Sequence, residues 1–105
     1  MYTIRILVAE DHRILLESLA LLLSDIEGGE VVSKHTNGQQ VLNALTYETA
    51  IDLVVSDLQM PVMGGIELTI RLREQFPQVK LCLLTVADQP EAIKEALRAG
   101  ADHYN

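Results

Sequence analysis

An α/β fold, one parallel sheet flanked by helices, is the class the sequence predicts, and three observations predict it. Strand-like and helix-like segments alternate from one end of the 105 residues to the other. Most strand candidates are continuous apolar runs, as expected of parallel strands covered on both faces. No linker or low-complexity stretch interrupts the alternation, so a single domain is expected.

In chain order, Ile4 to Ala9 is the first buried strand. Leu15, Leu19, Leu22 and Ile26 recur at helical spacing and predict a first helix packed on that stripe. Glu30 to Thr36 is more polar and reads as an edge strand. Val41, Ala44 and Leu45 mark a second helix, and Leu53 to Ser56 a second buried strand. Leu68 and Leu72 mark a third helix, with Glu67 and Arg71 four residues apart and a stop before Pro77. Leu81 to Leu84 is a further apolar strand. Ile93, Ala96 and Leu97 mark a fourth helix ending at Gly100, and Ala101 to Asn105 could begin a fifth strand.

Composition narrows the function classes. Apolar residues make up 49% of the chain, and eight basic against fifteen acidic side chains give a net charge of −7. That charge disfavours direct contact with nucleic acid or an anionic membrane, because both would repel it. The one cysteine, Cys82, lies in an apolar run, so a disulfide within the chain is impossible and a reducing cytoplasm fits. The N-terminus lacks a signal peptide's apolar stretch, and no run approaches the length needed to cross a bilayer.

In open sheets of this class, function collects at the carboxyl ends of the strands. Glu10 and Asp11 follow the first strand, Asp57 closes the strand from Leu53, and Thr85 follows Leu84. Asp57 alone reads equally well as a turn or capping carboxylate. If the two strands adjoin, three carboxylates meet, and their mutual repulsion calls for a divalent cation, magnesium or in its place manganese. Thr85 alone reads as an ordinary β-branched strand residue, although its hydroxyl could face an anion above the metal. His12, His35 and His103 share no ligand spacing and read as structural.

Taken together, Glu10-Asp11, Asp57-x-x-Met60-Pro61-x-Met63-x-Gly65, Thr85 and Gly100-Ala101-Asp102-x-Tyr104 resemble the receiver domain of two-component response regulators along the whole chain. The resemblance implies a flavodoxin-like, doubly wound parallel sheet in strand order 2-1-3-4-5. It implies that Asp57 accepts a phosphoryl group from a sensor histidine kinase, with Mg2+ held by Asp11, Asp57 and the backbone carbonyl of Gln59, and by Glu10 through water. Thr85 would bind the phosphoryl oxygens, and Tyr104 would be the aromatic switch turning inward with it. The fourth helix and last strand, with Lys94, Glu95 and Arg98 outward, would carry the readout; a plain solvated face is the other reading. Asp11-His12 and Gly100-Ala101-Asp102 further resemble NarL/FixJ-type regulators, which implies a C-terminal LuxR-type helix-turn-helix output domain that binds DNA and controls transcription.

Three departures from the family pattern accompany the resemblance. The family's phosphoryl-binding lysine would fall about two residues beyond Asn105, so the chain is expected to be a receiver truncated before that lysine and the fifth helix. That expectation uncovers part of the apolar first helix and implies a homodimer or lower stability. Val86, where the family has a small residue, narrows the way to Asp57 and implies slower phosphorylation. Gly64 replaces an acid or amide and weakens the third helix cap. Other classes remain open: a flavodoxin-like cofactor binder, though Glu10 and Asp11 would repel a phosphate without metal; an aspartate-nucleophile phosphatase, though Gln59 cannot serve as general acid; and a receiver-like interaction module that is never phosphorylated.

Overall fold

The computed structural model describes residues 3–84, Gly100 and the backbone of residues 103–104. The strands are β1 (Ile4–Ala9), β2 (Gly29–His35), β3 (Leu53–Asp57), β4 (Lys80–Leu84) and β5 (His103–Tyr104). The helices between them are α1 (Arg13–Ser24), α2 (Gly38–Tyr47) and α3 (Gly65–Gln75). All pairings are parallel, and the sheet runs β2-β1-β3-β4-β5. The expected flavodoxin-like fold and strand order are therefore present, with the polar strand β2 on an edge. The expected fourth helix, with Lys94, Glu95 and Arg98, lies outside the described residues.

Side chains alternate across the central strands and build a core on each face. Leu7, Ala9, Val54, Leu81 and Leu83 face the side where α2 contributes Val41, Leu42 and Leu45 and α3 contributes Leu68 and Leu72. Ile6, Val8 and Val55 face the other side with Leu16 of α1. Leu7, Val54, Leu68, Leu72, Leu81 and Leu83 are fully buried, so the sheet centre is rigid ground for whatever follows the strand ends.

Helix α1 departs from expectation. Leu16 and Ala20 are its buried residues, with Leu19 and Leu23 packed beside Leu16, while Leu15 and Leu22 are exposed and Ile26 follows the helix end. The segment Arg-Ile-Leu-Leu-Glu-Ser-Leu-Ala-Leu-Leu-Leu-Ser is apolar nearly all round, so periodicity alone does not set which stripe turns inward. Packing on β1 and β2 sets it. A Lys34 Nζ to Glu17 Oε2 ion pair of 2.9 Å fastens the polar flank of α1 to β2. Ile14, Leu15, Leu21 and Leu22 remain in contact with solvent.

Helices α2 and α3 start differently. Asn37 caps α2 by accepting a 2.9 Å hydrogen bond from Gln40 N. Gly64 stands at the N-cap of α3 and supplies no side-chain bond, as the sequence led us to expect. Arg71 reaches Glu67 across one turn of α3 at 3.4 Å.

Candidate functional site

The register places the acids. Ala9 pairs with Ser56 across β1 and β3, so Glu10 leaves the sheet beside Asp57. On the other flank Glu10 N donates to His35 O at 3.0 Å, which ties the start of the β1–α1 loop to the end of β2. Asp57 pairs with Leu84, the last described residue of β4. Thr85 and Val86, the next two residues, lie outside the described ones. Tyr104 pairs with Leu83 in β5 through its backbone, and its side chain lies outside the description.

Asp57 is held from several directions. Its Oδ1 accepts a 2.8 Å hydrogen bond from Leu58 N, and its carbonyl accepts one of 2.9 Å from Ser56 Oγ. Leu58 N also lies 3.1 Å from Leu84 O, which locks the strand end to β4. The loop beyond returns at once: Gly65 N donates to Leu58 O at 2.8 Å. A Cβ on Gly65 would stand 2.8 Å from Asp57 O and 2.9 Å from Leu83 Cδ2, so only glycine lets α3 start this close to Asp57.

Within that loop Val62 carries φ 67°, a left-handed conformation that a β-branched side chain strongly disfavours. Met63 N donates to Pro61 O at 2.7 Å, closing a three-residue turn around Val62. Met63 is thereby buried, and its carbonyl accepts from Gly38 N at 2.9 Å, joining the loop to the start of α2. Ser56 and Val62 were not read as site residues from sequence. Ser56, the one hydroxyl in an apolar strand, was the available signal; nothing local marks Val62.

The electrostatics centre on Glu10. Its carboxyl is pushed up from 4.5 to about 7, first by burial, then by a hydrogen bond with Asp57 and the charge of Asp57; His12 opposes the rise and the charge of Asp11 adds to it. Glu10 Oε2 and Asp11 Oδ1 are buried without a hydrogen-bond partner among the described residues. His12 Nδ1 lies 3.4 Å from Glu10 Oε1 and from Asp11 Oδ1. Gln59 is exposed on the loop beyond Asp57. Buried carboxylate oxygens with unsatisfied lone pairs form a donor set suited to a hard divalent cation. Elsewhere, burial lowers the pKa of His35, whose Nε2 is 2.8 Å from Ser33 Oγ, and raises that of the half-buried thiol Cys82.

Comparison with known proteins bears on the chain as a whole. A family model described as "Response regulator receiver domain" matches residues 6–104. Response regulator GacA of Pseudomonas viridiflava is 34% identical over 101 residues, which are 96% of this chain and 47% of the relative. Response regulator protein VraR of Staphylococcus aureus is 32% identical over 102 residues, 97% of this chain and 48% of the relative. The chain thus spans about half the length of these curated relatives. A solved two-component response regulator of the LuxR family from Aurantimonas sp. SI85-9A1 superimposes with a TM-score of 0.90 at 29% identity, covering 97% of this chain and 72% of that one.

Proposed function

We propose, from the premise that this chain belongs to the response regulator receiver family, that Asp57 accepts a phosphoryl group from a sensor histidine kinase. The observation that carries the reading is the β1–β3 register, which sets Glu10 beside Asp57 at adjoining strand ends. An Asp57 oxygen attacks phosphorus in line as the bond from phosphorus to the kinase histidine breaks, and the imidazole departs with the electron pair. The Leu58 N–H at Oδ1 and the Ser56 hydroxyl at the carbonyl hold the nucleophile's orientation before the reaction.

Asp11, Asp57 and the Gln59 carbonyl are the groups that would hold Mg2+, or Mn2+ in its place, with Glu10 acting through water. Glu10 Oε2 and Asp11 Oδ1, buried without a hydrogen-bond partner among the described residues, fit that role. Bound there, the cation supplies positive charge against the phosphoryl oxygens. The chain is on this reading a phosphoacceptor signalling domain, engaged only in its own phosphoryl transfer and dephosphorylation.

Thr85 and Tyr104 complete the reading as switch residues that convert the added charge into a changed surface around the fourth helix and β5. That surface would govern a C-terminal output domain, a DNA-binding one of LuxR type, in a full-length protein of about twice this length. A cytoplasmic location accompanies the proposal; among the described residues no helix is long and apolar enough to cross a membrane. The solvent-facing leucines of α1 add the expectation of a homodimer, which a monodisperse monomer in sedimentation would refute.

The deciding experiment is intact-mass measurement of the full-length protein, of this chain and of Asp57→Asn after incubation with acetyl phosphate and Mg2+. A phosphoryl mass gain in the parent alone is expected. No gain in the full-length protein overturns the reading in favour of a receiver-like interaction module.

A further inference from the structure

We infer that Arg73 is a positioning residue for the switch: its side chain ties the entrance of β5 to the entrance of β4, so that the two strands are clamped at the end of the sheet away from Asp57 and β5 turns about Gly100. Its role in signalling rests on the phosphoacceptor reading, while the clamp is built from contacts of its own.

Arg73 stands in the last turn of α3. Its Nη2 donates to Val79 O and its Nη1 donates to Pro77 O, the latter at 3.3 Å. Both carbonyls belong to the loop that leads into Lys80, the first residue of β4. A cation at a helix end is ordinary, since it suits the helix dipole. A planar fork on two carbonyls beyond the helix does more, because it fixes the direction of the whole side chain where charge alone would leave it free.

The stem so fixed carries a second piece of chain. A Cβ on Gly100 would stand 2.7 Å from Arg73 Cγ and 3.2 Å from its Cδ, inside the roughly 3.5 to 4.0 Å at which carbon atoms rest. Gly100 also holds a φ of 107°, a conformation that other residues rarely adopt. Backbone therefore lies directly on the arginine stem, just ahead of β5. Strand β5 is 2 residues long and pairs with β4 through Cys82 with His103 and Leu83 with Tyr104. So short a ladder leaves its placement to whatever holds its ends. Leu83 precedes Leu84, the partner of Asp57, so Tyr104 lies toward the Asp57 end and Gly100 toward the other. With the amino ends of β4 and β5 fixed together, a change at Asp57 reaches β5 as a swing of its carboxyl end, where Tyr104 sits.

The test is amide hydrogen exchange of the full-length protein, read by mass spectrometry on peptides holding β1, β3 and β5, with and without acetyl phosphate and Mg2+. Parent, Arg73→Met, Arg73→Lys and Gly100→Ala are compared, with Glu74→Gln as a control for altered charge in the same helix turn. Before phosphorylation, Arg73→Met and Gly100→Ala should each speed exchange of the β5 peptide at least about fivefold and leave the β1 and β3 peptides within about twofold of the parent. Arg73→Lys keeps the charge and the stem without the fork; it should fall between, and it serves if Arg73→Met does not fold. Glu74→Gln should match the parent. Intact mass should show the same phosphoryl gain in every variant, while the change that phosphorylation brings to the β5 peptide should shrink in Arg73→Met and Arg73→Lys. Parent-like β5 exchange in Arg73→Lys and Gly100→Ala, an equal rise in all three peptides, or an undiminished phosphorylation response in the Arg73 variants would overturn the inference. Absence of a mass gain in the parent would instead refute the phosphoacceptor reading and the signalling role with it, the clamp itself being decided on the unphosphorylated proteins.

Discussion

Replacing Glu10 by glutamine should stabilise the metal-free protein, and by an amount that depends on pH. Glu10 is raised to about 7 from an ordinary 4.5 by burial and by Asp57. An acid whose pKa is raised by folding binds more protons in the folded state, so its stabilising contribution is complete below the unfolded value and is lost as pH rises through the folded one. The window runs from pH 4.5 to just above 7. Above it, keeping Glu10 ionised beside Asp57 costs up to about 3 kcal/mol, taking 1.4 kcal/mol per pH unit. Near pH 5 the same comparison leaves about 1 kcal/mol or less. A neutral amide of the same shape removes this term.

Urea unfolding of the parent and Glu10→Gln, in chelator at pH 5 and pH 8.5, measures the difference directly. The variant should gain about 2 kcal/mol more at pH 8.5 than at pH 5, or on the order of 10 °C in a thermal midpoint. Millimolar Mg2+ should shrink the gap at pH 8.5, since a cation offsets the same repulsion. A gap that is equal at both pH values, or a variant less stable at pH 8.5, would refute the electrostatic account of Glu10.

Three further outcomes follow from the packing. Gly65→Ala forces its new methyl against Asp57 O and Leu83 Cδ2; it should destabilise the fold by about 1 to 3 kcal/mol in chemical denaturation and disturb the Asp57 amide in NMR spectra. Val62→Asn should stabilise by about 1 kcal/mol, because asparagine tolerates the φ of 67° that valine resists, and a fall in thermal midpoint would show the turn is not strained. Leu16→Ala should cost about 2 to 5 kcal/mol and Leu15→Ala under about 1, since only Leu16 is buried, and equal losses would mean the inward stripe of α1 is misassigned.

Legibility in the sequence varied with the physics of each segment. Strands β1, β3 and β4 were readable because a strand covered on both faces must be apolar throughout, and Leu53–Asp57 and Lys80–Leu84 differ from the expected ranges by one residue each. Helices α2 and α3 were readable because they have one apolar stripe. Helix α1 was readable as a helix and misread in its facing, because leucine or isoleucine occupies positions on every side. Asp57 and the Glu10–Asp11 pair were visible as acids following apolar runs.

What the sequence determined by itself is therefore the alternation of elements, the edge position of β2 and the identity of the acids, all written in local hydrophobic period and residue type. What tertiary structure alone decided is how those acids meet. The Ala9–Ser56 register sets Glu10 against Asp57 and burial lifts its pKa, because neither pairing partner nor local dielectric is encoded in a segment's own pattern. The same holds for Gly65 pressed on Asp57 O, Val62 turned to a positive φ, and His12 Nδ1 3.4 Å from two carboxylates. Each is fixed by chain segments distant in sequence that close packing brings to one end of the sheet.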